Sequence, residues 1–185
     1  MNRRDAIRNI GLLLGTAVTP TVARAVSAGY VAPAAGQPLR ALSMEQNELV
    51  ATLAELIIPT TTTPGARAAR VDAFVDGLLA DVFTREEKAR FLAGLADVDA
   101  RARAAHGVTF VAATPARQTA LLTAMDLESR KRVEGTRAFF PWLKELTLVG
   151  YYTSEIGASQ ELKYVHVAGR YDGDVPYARV GRAYS

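Results

Sequence analysis

Val71-Asp72-Ala73-Phe74-Val75-Asp76-Gly77-Leu78-Leu79-Ala80-Asp81-Val82 decides the fold class. Val71, Phe74, Val75, Leu78, Leu79 and Val82 recur at i, i+3, i+4, i+7, i+8 and i+11, an apolar stripe that an α-helix aligns. The spacing predicts a helix over Val71 to Phe83. Upstream, Leu49, Leu53, Leu56 and Ile57 also fall at helical spacing. Ser43 with Gln46 forms a capping box before them, and Pro59 ends the run. Downstream, Thr84 with Glu87 opens a third helix carrying Phe91, Leu92, Leu95 and Val98. Its alanine- and arginine-rich continuation, residues 100 to 105, runs to Gly107. Thr114-Pro115 starts a fourth helix through Leu121, Leu122 and Met125, with a charged extension over residues 128 to 134. A fifth is expected over about Thr136 to Tyr152, with Phe139, Phe140, Leu143, Leu146 and Val149 as its apolar set. Pro141 belongs in a first turn, which argues for a later start.

The joints carry no strand signal. Thr60 to Ala66 is a loop in which Thr63-Pro64 can begin a short helical turn, and Val108 to Val111 is a short apolar link. From Thr153 to Ser185 there are four glycines, one proline and four tyrosines without periodicity. That stretch is expected to be irregular, with at most a few extended residues at Tyr164 to Val167. The predicted fold is all-α: a bundle of about five helices with an irregular tyrosine- and glycine-rich C-terminal tail. The expected division is an export signal over 1–28, a linker over 29–42 and a helical domain over 43–185, with the tail from about 153.

The N-terminus reads as an address. Arg3 and Arg4 are adjacent, Ile7 and Arg8 follow, Ile10 to Val18 is a short apolar run, and Ala23-Arg24-Ala25 closes with small residues. A basic head, an apolar middle and a small-x-small end describe an export signal, and the paired arginines resemble a twin-arginine signal. The apolar run is about half of the ~20 residues that span a bilayer. Gly11, Gly15 and Pro20 also disfavour a core helix. The twin-arginine route moves folded proteins, so the chain is expected to fold first. The signal could be removed after Ala25, after Ala28, or kept.

Charge follows from that segment. The chain has 185 residues, 49% hydrophobic and 22% charged, with a net charge of +3 and a pI near 9.3. Within residues 1–25 four arginines oppose Asp5, which already accounts for the whole net charge. The remainder is neutral, so the basic pI is no argument for a nucleic-acid partner. There is no cysteine, which excludes disulfides, thiolate metal sites, cysteine nucleophiles and thioether haem attachment.

No catalytic pattern stands out. Gly169 to Gly173 lacks the spacing and the preceding strand of a phosphate loop. Asp172-Gly173-Asp174 is a turn rather than a calcium loop. Asp97 and Asp99 are two apart on a helix and do not share a face. His106 suits a helix C-terminus, and His166 has no second histidine or cysteine near it. Glu155 is the best candidate for a polar residue held in place. Tyr151, Tyr152, Tyr164, Tyr171, Tyr177 and Tyr184 are six of the seven tyrosines. Tyrosine combines contact area with a polar tip, so this region suits either a protein interface or a tail packed on its own bundle.

Three blocks resemble the gluconate 2-dehydrogenase subunit 3 family, which includes the gamma subunit of membrane-bound FAD-dependent glucose dehydrogenases. They are Ile57-Ile58-Pro59 through Thr63-Pro64-Gly65-Ala66 to Val71, Phe74 and Asp76; Tyr151-Tyr152-Thr153-Ser154-Glu155-Ile156-Gly157-Ala158; and Gly169-Arg170-Tyr171-Asp172-Gly173 with Val175-Pro176. With the twin-arginine signal, the likeness runs over essentially the whole chain. Thr62 and Ala168 depart from the aspartate and proline that are frequent there.

The resemblance implies a non-catalytic subunit without a cofactor of its own. It implies a large glucose-methanol-choline-type flavoprotein partner holding FAD, and a multihaem cytochrome c subunit that passes electrons toward membrane quinones. The complex would be periplasmic and tied to the membrane only indirectly. The flavoprotein, lacking a signal, would cross the twin-arginine (Tat) translocase bound to this chain. On this expectation the export signal is read through Arg3, Arg4, Ile7 and Arg8. The partner-binding residues are Tyr151, Tyr152, Thr153, Ser154, Glu155, Ile156, Gly157, Tyr164, Arg170, Tyr171, Asp172 and Tyr177. The alternative is a stand-alone periplasmic helical enzyme or ligand-binding protein, which requires a pocket with convergent polar groups.

Overall fold

The described elements run in the order α1 Met44–Ile57, α2 Val71–Asp81, α3 Arg85–His106, α4 Pro115–Arg130 and α5 Phe139–Tyr152, followed by a π-helical turn, Gly157–Glu161. The computed structural model describes residues 23–24, 30, 36–130, 138–162 and 176, and among these there is no β-strand. Arg3, Arg4, Ile7, Arg8, the charged stretch 131–134, Tyr164, His166, Arg170, Tyr171, Asp172 and Tyr177 lie outside the described residues.

The two capping boxes form as the sequence predicts. Ser43 Oγ accepts from the Gln46 N–H at 3.2 Å while Gln46 returns a bond to the Ser43 N–H at 2.9 Å. Thr84 and Glu87 do the same for α3. Each pair satisfies helix-end donors that the helix cannot satisfy itself. Gly107 closes α3 in the left-handed region at φ 73°, where a residue without Cβ avoids a steric penalty.

The decisive stripe is buried: Val71, Phe74, Val75, Leu78 and Leu79 all lie in the core. Helix α2 ends at Asp81, two residues before the expected Phe83. There the N–H groups of Val82 and Phe83 both bond to the Leu78 carbonyl. Phe83 leaves the helix and stacks on Trp142, with ring centroids 5.1 Å apart and planes 5° apart.

Helix α5 touches each of α1, α2, α3 and α4. It buries Phe140, Trp142, Leu143, Leu146, Thr147, Gly150 and Tyr151, and each large apolar side chain so buried contributes about 1.5–3 kcal/mol. It begins at Phe139 rather than about Thr136. Pro141 therefore falls in the first turn, where its missing N–H costs no bond.

Buried joints are held by side chains. The Phe110 N–H donates to Asp99 Oδ1 at 2.8 Å and its carbonyl accepts from Gln118 Nε2 at 2.9 Å. The link is thus satisfied without a strand. Asp76 is 3% exposed; its carboxylate accepts from the backbone N–H groups of Arg40, Ala41 and Leu42 at 2.8–2.9 Å. The Arg40 guanidinium meets both oxygens of Asp81 at 2.6 Å, and the Tyr30 ring lies edge-on to Phe74 at 5.6 Å. Within the expected linker, Tyr30 and the backbone of residues 40–42 therefore make contacts with the bundle.

Candidate partner interface

Two sequence blocks nearly ninety positions apart meet at one end of the bundle. The Tyr151 hydroxyl donates to the Pro64 carbonyl at 2.8 Å, and the Thr63 hydroxyl donates to Glu161 Oε2 at 2.7 Å. The loop after α1 and the turn after α5 therefore form one surface.

The loop half is built around Glu55. Its Oε1 accepts from the Thr60 N–H at 2.8 Å and the Thr60 hydroxyl at 2.7 Å, and its Oε2 from the Arg67 N–H at 2.9 Å. Burial works against ionisation of Glu55, but the bonds from Arg67 and Thr60 outweigh it and hold the carboxyl below its ordinary range. Gly65 lets this happen: a Cβ there would sit 2.5 Å from the Thr60 nitrogen and 2.6 Å from both Glu55 oxygens. Pro59, Thr60, Thr61 and Thr62 remain exposed on the rim.

The turn half closes on the end of α5. Ser154 Oγ donates to the Tyr151 carbonyl at 2.6 Å and accepts from the Gly157 N–H at 3.0 Å. The Leu162 N–H then reaches back to the Gly157 carbonyl at 2.9 Å, the five-residue spacing of a π-turn. Gly157 is required at this fold-back, since a Cβ would lie 2.0 Å from the Tyr151 carbonyl oxygen.

The expected interface residues separate into two groups. Tyr151 is 1% exposed, so its ring belongs to the core, and burial pushes its phenol up. Position 151 falls on the inner face of α5, with Leu143, Leu146 and Thr147, so of the expected partner-binding residues it is one whose side chain faces the bundle. Gly157 is buried as well, and Ser154 and Ile156 are half-buried. Tyr152, Thr153 and Glu155 point outward, Tyr152 being 41% exposed. Glu155, the sequence's best candidate for a polar residue held in place, is exposed, and the carboxylates that accept the loop's hydrogen bonds at this end are Glu55 and Glu161.

Leu148, four residues before Tyr152 on the same helix face, is 44% exposed and extends the outward surface. The sequence carried a signal for it. Leu148 lies off the stripe made by Leu143 and Leu146, where an apolar residue has no core to enter. For Asp76 the corresponding signal is a charge between Val75 and Leu78 in an otherwise largely apolar helix.

At the other end of α1 an open cleft of about 500 Å³ lies between α1 and α3, with Met44, Leu49, Leu95 and Val111 among its walls. Two of its carboxylates are already engaged, Glu48 with Arg67 and Asp99 with Arg103. Among the described residues no group of three or more His, Cys, Asp or Glu could hold a metal ion. Among them, too, no helix is long and apolar enough to cross a membrane.

The family model described as Gluconate 2-dehydrogenase subunit 3 matches residues 44–169. The match contains both blocks that meet at Tyr151 and Pro64, and it ends at the first residue of the third. No curated protein and no solved structure matches the chain.

Proposed function

The chain belongs to the gluconate 2-dehydrogenase subunit 3 family, and from this premise we propose that it is the non-catalytic small subunit of a periplasmic flavin-dependent sugar or polyol dehydrogenase. Its work is to bind and stabilise a glucose-methanol-choline-type flavoprotein that holds FAD, and to carry it folded through the Tat translocase. A multihaem cytochrome c would receive the electrons in the same complex. The observation that carries the proposal is the Tyr151–Pro64 bond, which joins the two motif blocks into one surface with Leu148, Tyr152, Thr153 and Glu155 exposed beside it. Tyr151, Gly157, Glu55 and Glu161 shape that surface from within. Tyr164, Arg170, Tyr171, Asp172 and Tyr177 are proposed to extend it.

Co-expression tests the proposal. The flavoprotein is produced with and without this chain, and soluble FAD-loaded enzyme and periplasmic activity are measured. Expected is a severalfold loss of loaded enzyme and absence of export without this subunit; equal yield and equal export refute the role. Arg3→Lys with Arg4→Lys should strand both proteins, folded, in the cytoplasm.

A stand-alone ligand-binding bundle or enzyme would use the cleft between α1 and α3. It predicts a sugar that raises the melting temperature of the isolated chain, and loss of that shift on Leu95→Trp.

A further inference from the structure

The exposed stripe of α5 that holds Leu148 and Tyr152 reaches one turn earlier to Lys144, whose side chain is 40% exposed. Beside Lys144 an open hollow of about 280 Å³ lies between the end of α1, helix α4 and the start of α5. We propose that this hollow receives an apolar side chain of the flavoprotein, and that Lys144 pairs with a carboxylate flanking that side chain. The inference rests on the carrier reading given above and adds the chemistry of the contact to it.

Size and walls favour an inserted side chain over a free ligand. Leu56 and Ile57 from α1, Leu122 from α4 and Phe140 from α5 make the apolar walls. Of the polar groups on the α4 side, the Thr123 hydroxyl is already given to its own helix, at the Thr119 carbonyl 2.8 Å away. Sites that enclose a small ligand run to roughly 300–1,000 Å³ and converge several polar groups on it. This hollow is smaller and mostly apolar, which suits one anchor of a protein surface. Ile57 is also the first residue of the loop block that Tyr151 fastens to α5, so hollow and loop belong to one face of the bundle.

Charge decides what flanks the anchor. Asp126 opposes two cations, Arg130 at 2.6 Å and Lys144 at 3.1 Å, while Glu128 on the same helix is bound to Arg101. The rim therefore carries a positive charge in excess. The Lys144 ammonium has three donors and gives one to Asp126. It can take a second carboxylate while Arg130 keeps Asp126 satisfied. Its position is set in advance, because Nζ stands 5.5 Å from the centre of the Phe140 ring, and a placed cation loses less freedom on pairing.

Thr123→Trp fills the hollow from an exposed helical position, and Ala124→Trp, exposed but off its walls, is the control. Lys144→Glu reverses the charge at the rim. Each full-length variant is co-produced with the flavoprotein, the recovered complex is quantified, and circular dichroism melting of each purified chain checks that its helices are intact. Expected is at least about tenfold less complex for Thr123→Trp and for Lys144→Glu, with Ala124→Trp equal to wild type. For Lys144→Ala the remaining binding should fall less steeply with added salt than wild-type binding does. Equal recovery with Thr123→Trp or with Lys144→Glu overturns the proposal and leaves the carrier reading standing; no recovery with the wild-type chain overturns both. A photo-crosslinking phenylalanine analogue placed at Thr123 names the occupant without relying on either variant. Expected is a flavoprotein peptide with an aspartate or glutamate beside an apolar residue. A crosslink to a second copy, or to residues 163–185 of this chain, overturns the proposal.

Discussion

Glu55 and Tyr151 do different jobs at the same loop. Glu55 gathers it through three hydrogen bonds, and Tyr151 fastens it to α5 through one. Glu55→Ala removes the shared acceptor, and a loss of about 1–3 kcal/mol is expected from urea unfolding, with faster proteolysis in residues 59–66. Tyr151→Phe keeps the buried ring and loses one bond to a carbonyl. It should cost about 1 kcal/mol, against roughly 3–5 kcal/mol for Tyr151→Ala, which also opens a cavity. If the two substitutions cost the same, the ring is not packed as described. Neither Glu55 nor Asp76 can be assigned its partners from sequence spacing, because most of their donors are backbone N–H groups brought to them only by the path of the chain.

Among the elements, α2 and α5 are the centre, and each carries a feature that secondary-structure pattern alone leaves unexplained. In α2 it is Asp76, a buried carboxylate receiving three backbone donors from residues 40–42. Asp76→Ala leaves those donors without an acceptor, so a loss of about 3 kcal/mol is expected, with loss of amide-exchange protection confined first to 40–42. In α5 the feature is Pro141, which fixes where the helix can begin. The helix ends are simpler. Thr84→Ala should cost about 1 kcal/mol, since it removes one half of a reciprocal cap whose partner Glu87 stays in place.

For the whole molecule, acid sensitivity follows from several lowered carboxylates. Glu48 is lowered first by its bonds to Arg67, Asp81 by Arg40 and Asp126 by Arg130; Glu55 is lowered by its backbone and hydroxyl donors despite burial. In each case the folded state gives up its proton more readily than the unfolded one. Their contribution is complete above the ordinary glutamate value of 4.5 and is lost as pH falls through the lowered folded-state values. Melting temperature should therefore be level near neutrality and fall below about pH 4.5; a rise on acidification would contradict this. The outward surface makes the opposite demand. Leu148→Asp and Tyr152→Ala should leave the isolated chain within about 0.5 kcal/mol of wild type yet reduce co-purification of the flavoprotein at least about tenfold, an expectation for anchors near an interface centre. Equal recovery would move the docking site elsewhere.

The helices, their caps and their inward stripes are legible in the chain alone, because these depend on neighbours three or four residues away. The family is legible there too, since Ile57 to Asp76 and Tyr151 to Ala158 are local blocks. Folding is what brings these blocks to one surface, turns Tyr151 inward while Tyr152 and Leu148 turn outward, and packs Tyr30 against the body. Those outcomes depend on which side of α5 helices α1 to α4 cover and on a loop path closed by Tyr151 and Pro64. Both are contacts between residues far apart in the chain, and local periodicity carries no record of them.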